Sequence, residues 1–168
     1  MDKTYIGIDP GEKGFITVGT PDGQFQFYSI ADHTELQIAS FLGDVKRDCP
    51  SPVAAMEDVH AIFGSSAKST FNFGRIVGLL QGLLIANHIP YVLVPPKAWQ
   101  GEIWGFNDKV YRYKIDGKKM VDTKGTSFNA AHRLYPDVDL RRTPACKKED
   151  DNKCDSLLLC GYAQRKNL

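Results

Sequence analysis

The sequence has little that suggests export or membrane insertion. No N-terminal apolar stretch follows a basic region, and no run approaches the roughly 18 apolar residues needed to cross a bilayer. Internal repeats and low-complexity tracts are also lacking. We therefore expect a soluble, unexported protein with no membrane partner. At 168 residues, 42% of them hydrophobic, the chain predicts one domain, 1–168, with one core.

Cysteine and histidine patterns exclude the common zinc sites. The four cysteines form no CxxC pair, and the four histidines are not spaced to complete a zinc site. Free thiols are the expected state, with a structural metal site or a disulfide as the alternatives. The phosphate-loop pattern G-x-x-x-x-G-K-[ST] is also missing, which argues against the nucleotide-binding proteins that use it.

The formal net charge of +1 hides an asymmetry between the two halves of the chain. Residues 1–96 carry a charge of about −4, whereas residues 97–168 carry about +5. A basic half favours a polyanionic substrate such as nucleic acid. An ordinary solvated surface is the alternative explanation of the same charges.

Short β-rich runs and turn residues predict the strands. The candidates are residues 4–9, 14–20, 24–30, 53–57 and 91–94. Pro21-Asp22-Gly23 predicts a hairpin, so the first three strands form an antiparallel meander. A crossover helix over 34–47 would deliver strand 53–57 parallel to the first strand.

Apolar periodicity predicts four further helical regions. They are 69–88, a short helix after Pro95-Pro96, 127–135 and 151–164. Gly74, Gly78 and Gly82 recur along the first of these. Because glycine costs a helix about 1 kcal/mol relative to alanine, we expect the sheet or a second subunit to pack closely there. Residues 101–124 lack a clean period and predict a mobile loop or small ribbon. Their interleaved basic and aromatic residues suggest a DNA-contacting arm, with a solvated loop as the equal alternative.

Four acidic residues stand where apolar segments end or begin: Asp9, Glu57, Asp151 and Asp155. Parallel strands would bring Asp9 and Glu57 to one edge of a sheet, where sites of open α/β sheets lie. The other two share a face of the last helix. Crowded carboxylates repel unless they are protonated or bridged by a cation, so the set predicts a divalent metal site. Taken singly, each has a structural alternative as a turn residue, a solvated strand end or a helix cap.

Three ordered motifs resemble the RuvC family of Holliday junction resolvases, within the RNase H-like superfamily. They are IGIDPG, MEDVHAIFGSSAKSTFNFGRIVGLLQGLL and DNKCDSLLLCGYA. The layout is similar to that of phage-encoded and related short resolvases. The resemblance implies an α/β, RNase H-like fold: a mixed five-stranded sheet, three antiparallel strands and then parallel ones, with helices on both faces.

The resemblance also implies a function. Members of this family are dimeric, Mg²⁺-dependent endonucleases that nick two strands symmetrically at a four-way DNA junction, and two ions per site, with Mn²⁺ as a substitute, would act by two-metal hydrolysis. Asp9 takes the role of the first acid, Glu57 the second and Asp155 the last. The family's remaining acid or histidine falls on Asn152, so Asp151, which we favour, or Asp150 would replace it.

Basic and stacking residues follow from the same resemblance. Lys124 matches the lysine before the penultimate helix that contacts the scissile phosphate. The family's other active-site lysine falls near Trp99, where Lys97 is the candidate replacement, and His60 occupies the position of the aromatic residue that stacks at the junction centre. The predicted DNA contacts are His60, Phe63, Lys68, Lys97, Lys118, Lys119 and Lys124. The glycine-bearing helix resembles the helix that pairs the family's subunits.

Several rival functions remain open at this point. An ATP-binding domain of the actin or sugar-kinase type also opens with a strand ending in Asp-x-Gly. A catalytically silent junction-binding module, an RNase H acting on RNA–DNA hybrids, or a nuclease with broader selectivity for forks and flaps would share parts of the pattern. For the resolvase, the resemblance implies recombination or repair in the bacterial cytoplasm, with the chain encoded by the bacterium or by a phage.

Overall fold

A computed structural model describes residues 2–59, 66–114 and 116–168. The helices and strands alternate along the chain, with three strands at the start and two helices at the end. They are β1 Tyr5–Asp9, β2 Phe15–Gly19, β3 Phe25–Ser29, α1 Glu35–Asp48, β4 Val53–Glu57, α2 Ala67–Ala86, β5 Tyr91–Val94, α3 Pro96–Ile103, β6 Val110–Tyr113, β7 Lys119–Asp122, α4 Thr123–Leu134 and α5 Asp151–Lys166, with a 3₁₀ turn at Phe106–Asp108.

The main sheet has five strands in the order β3-β2-β1-β4-β5. β1, β2 and β3 are antiparallel neighbours, whereas β4 runs parallel to β1 and β5 parallel to β4. One hydrophobic cluster packs α1 and α2 against one face of the sheet, and a second packs α3, α4 and α5 against the other. The predicted mixed sheet with helices on both faces is confirmed.

A glycine lets α5 lie directly on the central strand. A Cβ atom at Gly7 would sit 2.1 Å from the Ser156 carbonyl oxygen and 2.2 Å from the Cys160 nitrogen, so no side chain fits there. The Cys160 thiol donates to the Tyr5 carbonyl, and the buried Thr17 and Ser156 hydroxyls lie 2.7 Å apart. These contacts fix the N-terminal turn of α5 beside the end of β1.

Helix α4 begins one turn earlier than the sequence pattern predicts. The predicted start at residue 127 is wrong because the Asp122 side chain accepts from the Gly125 backbone N–H and caps the helix, which begins at Thr123. Lys124 therefore lies within the first turn of α4 and not before it. Within 101–124, the small ribbon is the correct alternative, since β6 and β7 pair as an antiparallel two-stranded sheet.

Helix α2 buries only one face. Ile76, Leu80 and Leu84 pack into the core, whereas the three glycines are exposed, and apart from their own chain neighbours and helix backbone no described atom lies within 4 Å of a Cβ placed on them. Close packing of the glycines against the protein's own sheet is therefore wrong. The sequence has no uninterrupted apolar run of about 18 residues, as predicted, although by length and composition alone α2 is apolar enough to cross a membrane.

All four cysteines are free thiols, as the sequence predicts. Cys154 and Cys160 are buried in α5, whereas Cys49 and Cys146 are partly exposed. Burial raises the pKa of the Cys160 thiol to about 12. That thiol stays protonated, which suits its role as a hydrogen-bond donor to the central strand.

Candidate active site

Two of the acidic residues lie at adjoining strand ends. β1 and β4 are parallel neighbours in which Ile8 is paired with Met56, so Asp9 and Glu57 end the two strands side by side. A tight turn follows Asp9, and a Cβ atom at Gly14 would sit 2.0 Å from the Asp9 carbonyl oxygen. The sheet and this turn together hold the two carboxylates at its carboxyl edge.

The other two acids lie on the first turns of α5. Its packing on Gly7 places Asp155 next to Asp9, and Ser127 of α4 hydrogen-bonds to the Asp155 carboxylate. Within the described chain, Asp155 Oδ1 is buried and has no hydrogen-bond partner. A buried, unpartnered carboxylate oxygen is costly, which marks this position as one where a further ligand would be favourable.

The electrostatics show that the four carboxylates converge. Burial, and then the negative charges of Asp155, Glu57 and Asp151, raise the pKa of Asp9 well above its usual range. Burial is also the main cause that raises the pKa of Asp155 to about 7, despite the opposing hydrogen bond from Ser127; the charges of Glu57 and Asp151 add to it. Each of the four thus acts on at least one other, as expected for acids in one site.

Glu57 is held by a tryptophan. The buried Trp99 donates a hydrogen bond from Nε1 to Glu57 Oε1 over 2.9 Å. Burial raises the pKa of Glu57, and this hydrogen bond opposes the rise. Trp99 stands in α3 at the place where the family resemblance predicts a lysine, so the indole N–H supplies a neutral donor to the second acid.

Lys124 joins the acidic group from α4. Its ammonium forms an ion pair with Asp151, and the hydrogen bond to Asp151 is the main cause that raises the pKa of Lys124. The charges of Asp155 and Asp122 add to the effect. The predicted lysine thus lies at the rim of the site, with 68% of its side chain exposed.

Residues 150–152 have three different roles. Asp150 caps α5 by accepting from the Asn152 and Lys153 backbone N–H groups, and the Asn152 side chain also donates to it. Although burial opposes ionisation, these bonds and that from Arg142 lower the pKa of Asp150. Asp151 is the member of this trio that pairs with Lys124. Asp150 and Asn152 are thus engaged with each other at the helix cap, and the choice of Asp151 as the fourth acid stays a prediction.

Arg142 is a positioning residue that sequence reasoning missed. It donates to Asp150 Oδ2 over 2.7 Å, to Ser29 Oγ over 2.9 Å and to the Lys13 carbonyl over 2.7 Å, and its guanidinium lies over the Phe15 ring. The N-terminal end of α5 is thereby tied to the first hairpin, which also carries Asp9. Arg142 is one of 21 basic residues, and no local pattern distinguishes it.

The remaining predicted residues lie elsewhere. Lys97 is exposed on α3, Lys68 is exposed at the start of α2, and Lys118 and Lys119 are exposed on the hairpin of β6 and β7. Among the predicted basic residues that are described, Lys124 is the one with a recorded ion pair to the acidic group. His60 and Phe63 lie outside the described residues.

A divalent cation fits the donor chemistry of this site. Within residues 2–59, 66–114 and 116–168, no three His, Cys, Asp or Glu side chains are already arranged around one ion position. Three observations nevertheless indicate a place that attracts positive charge. The acids repel one another, one Asp155 carboxylate oxygen has no partner, and the Lys124 ammonium pairs with Asp151. Carboxylate oxygens are the donors that Mg²⁺ prefers.

Comparison with known proteins supports the fold. No protein-family model and no curated protein matches the sequence. The structure of T. thermophilus RuvC in complex with Holliday junction substrate is similar with a TM-score of 0.52 at 10% identity, covering 98% of this chain and 96% of that one. A second structure, of Thermus thermophilus RuvC, has a TM-score of 0.49 at 12% identity with the same coverage. The chain has the RNase H-like fold, in the form seen in RuvC.

Proposed function

We propose that this protein is a metal-dependent endonuclease that cuts branched DNA, with the four-way junction as its preferred substrate. The observation that carries this proposal is the convergence of four carboxylates from three chain segments at the carboxyl edge of an RNase H-like sheet. Such a group is unfavourable without a cation, and its retention is explained by a cation that takes part in catalysis.

Asp9, Glu57, Asp151 and Asp155 would hold two Mg²⁺ ions, for which Mn²⁺ would substitute. When bound, the ions would activate a water molecule and stabilise the leaving 3′ oxygen of a phosphodiester. Trp99 keeps the Glu57 carboxylate in place through its N–H, and Ser127 does the same for Asp155. On substrate binding, the Lys124 ammonium would leave the Asp151 carboxylate and pair with an oxygen of the scissile phosphate, because both groups are anions.

The exposed side of α2 supports a homodimer. Phe71, Gly74, Gly78, Gly82 and Ile85 follow one another at spacings of three or four residues, which places them along one stripe of the helix. Phe71 is 72% exposed and Ile85 61%. A second copy of α2 would cover these apolar side chains, and the glycines would allow the two helices to approach closely. The two active sites of the dimer would then be related by a two-fold axis, which matches the two-fold symmetry of a four-way junction.

The dimer has its own test in solution. Gly78→Leu should convert the dimer to a monomer in sedimentation, because a bulky side chain at the seam would separate the two helices. Leu36→Ala, which changes an exposed apolar residue on α1, is the matched control and should leave the dimer intact. A monomeric wild-type protein would overturn this arrangement, and binding of α2 to lipid vesicles would replace it with a membrane-facing role.

Substrate preference is tested by cleavage of matched synthetic DNAs. A labelled four-way junction, a fork, a flap and a linear duplex are incubated with Mg²⁺ or with EDTA. Paired symmetric nicks in the junction and little cleavage of the others would support a resolvase. Equal cleavage of forks and flaps would assign the broader branched-DNA nuclease, and tight binding without any cleavage would assign the silent junction-binding module.

A further inference from the structure

The hairpin of β6 and β7, described for residues 109–114 and 116–122, stands apart from the main sheet. Its two strands pair only with each other among the described strands. The base of this hairpin, which we call the ribbon, rests on the first turn of α4. The Val110 N–H donates to Thr126 Oγ1 over 3.0 Å. The Val110 side chain lies so close to Gly125 that a Cβ atom added there would be 3.3 Å from it. The ribbon is therefore anchored next to Lys124.

The register gives the ribbon two unlike faces. Tyr111 pairs with Val121 and Tyr113 with Lys119, so these four side chains share one face. Val110 belongs to the opposite face and contacts α4. Tyr111 and Tyr113 are consequently turned away from the domain, and Tyr113 is 70% exposed. The Lys119 ammonium lies 3.9 Å from the centre of the Tyr111 ring, so a cation and an aromatic ring already stack on this open face.

The ribbon is also strongly basic. Residues 109–119 contain five lysines or arginines and one acid, Asp116. None of the five has an ion pair recorded within the described chain, and their side chains are exposed. Positive charge alone would fit any polyanion, including an acidic protein surface. Exposed aromatic rings between the charges favour a polyanion that carries planar groups, since nucleobases stack on such rings.

We propose that this ribbon is a second DNA-binding element, which binds an unpaired strand by stacking bases on Tyr113 and contacting phosphates through Lys119, on the same face, and through Lys114 and Lys118 at the turn. The inference rests on the proposed nuclease function for its substrate. β7 leads directly into Asp122, the cap of α4, and so connects the ribbon to Lys124. Four residues of a strand span about 13 Å, the length of about four stacked nucleotides.

This geometry has a consequence for the substrate. Bases held on the ribbon would be unpaired and would lie within about four nucleotides of the cut. A branch point whose arms are partly unpaired offers such bases, whereas a closed linear duplex does not. The ribbon thus adds selectivity for opened branch points that the carboxylates alone cannot supply.

Binding without cleavage tests the proposal. The Asp9→Asn protein serves as the reference, and each ribbon variant is made in that protein. Their binding to a single-stranded oligonucleotide and to the blunt duplex of the same sequence is measured by fluorescence anisotropy in EDTA. Tyr113→Ala should weaken single-strand binding roughly 5- to 100-fold, because stacking on an aromatic ring is lost. Tyr113→Phe keeps the ring and should bind like wild type.

The charges have their own readout. Lys118→Ala combined with Lys119→Ala should reduce the slope of log affinity against log salt by about 1.4 for single strands. Lys46→Ala, an exposed lysine on α1, should leave that slope unchanged. Unchanged single-strand affinity in Tyr113→Ala, equal losses on the blunt duplex, or equally tight binding of polyglutamate would overturn the proposal. Failure of metal-dependent cleavage would not affect these readouts, so the two proposals fail separately.

Discussion

Trp99 Nε1 donates a hydrogen bond to Glu57 Oε1 over 2.9 Å and joins the second acid of the site to helix α3. Trp99 is fully buried, and Trp104 packs edge-on against it at 6.1 Å between ring centres. The indole is therefore held in place, and its N–H fixes the Glu57 carboxylate from α3, which packs on the same face of the sheet as α5. A neutral donor here leaves the negative charge of the site undiminished, which favours a divalent cation.

Replacing Trp99 by phenylalanine tests this relationship. Trp99→Phe keeps an aromatic ring in the core but removes the donor, so Glu57 loses a charge-assisted hydrogen bond. We expect cleavage to slow about tenfold or more and the Mg²⁺ concentration for half-maximal rate to rise. Trp104→Phe is the matched control, because Trp104 Nε1 has no hydrogen-bond partner within the described residues. Equal activity in both variants would refute a role for the N–H.

The fourth acid is tested by a pair of neighbouring substitutions. Asp151→Asn removes an anion that acts on Asp9 and Asp155, and we expect cleavage to fall by a factor of about 100 or more. Asn152→Ala removes an amide that bonds only to the Asp150 cap among its recorded contacts, and activity should remain within about threefold of wild type. Single-turnover cleavage rates measure both. The reverse result would move the ligand to Asn152.

Asp155 should make the protein less stable as the pH rises. Its folded-state pKa, about 7, is above the ordinary value, so between about pH 4 and 7 the folded state binds more protons than the unfolded state. Stability from this group is complete below about pH 4 and is lost as the pH approaches 7. Asp155→Asn should therefore raise Tm by about 3 °C or more at pH 8 in EDTA, and the gain should vanish near pH 4.

Scanning calorimetry provides the measurement, with Asp44→Asn as an exposed control. Mg²⁺ at pH 8 should raise the Tm of wild type more than that of Asp155→Asn, because binding to the folded state stabilises it. An Asp155→Asn protein that is less stable than wild type at pH 8 would show that the carboxylate has favourable partners, contrary to this account.

Arg142 should affect both stability and metal use. Arg142→Ala breaks its bonds to Asp150, Ser29 and the Lys13 carbonyl, and we expect a loss of about 1 to 3 kcal/mol in the free energy of unfolding. Because α5 is then less firmly tied to the first hairpin, half-maximal cleavage should also require more Mg²⁺. Arg142→Lys should recover part of the metal affinity.

The neighbouring arginine supplies the control for that experiment. Arg141 pairs with Asp139 on the surface, so Arg141→Ala should cost less than about 1 kcal/mol and leave the Mg²⁺ dependence unchanged. Denaturant unfolding and cleavage at graded Mg²⁺ are measured on the same preparations. If Arg142→Ala changes stability but not the metal dependence, its role is structural only.

Local pattern was sufficient for most of the fold and for the position of the acids. Apolar runs closed by turn residues identified β1 and β4, and their parallel pairing follows from the helix between them. Asp9 and Glu57 could thus be placed at one sheet edge from sequence. The start of α4 could not, because Gly125 and its threonine neighbours have weak helix propensity and the cap from Asp122 overrides it.

Contacts between distant segments were beyond sequence reasoning. Arg142 meets Ser29 across 113 positions and Trp99 meets Glu57 across 42, and neither pairing leaves a periodic trace in the chain. Likewise, the glycine spacing along α2 predicts that something packs closely on that side of the helix. It does not predict whether that side faces the sheet or the solvent, because this depends on where the sheet lies. These are tertiary choices that propensity and spacing do not encode.

The central claim is that the carboxylate cluster uses a divalent cation to cut DNA, and cleavage of a labelled four-way junction by wild type and Asp9→Asn tests it most directly. Both proteins are first shown to bind the junction in EDTA, and Mg²⁺ is then added, with Asp44→Asn as the control. The account predicts paired nicks from wild type and the control, and none from Asp9→Asn despite equal or tighter binding. Cleavage by Asp9→Asn at the wild-type rate, or by wild type in EDTA, would contradict it.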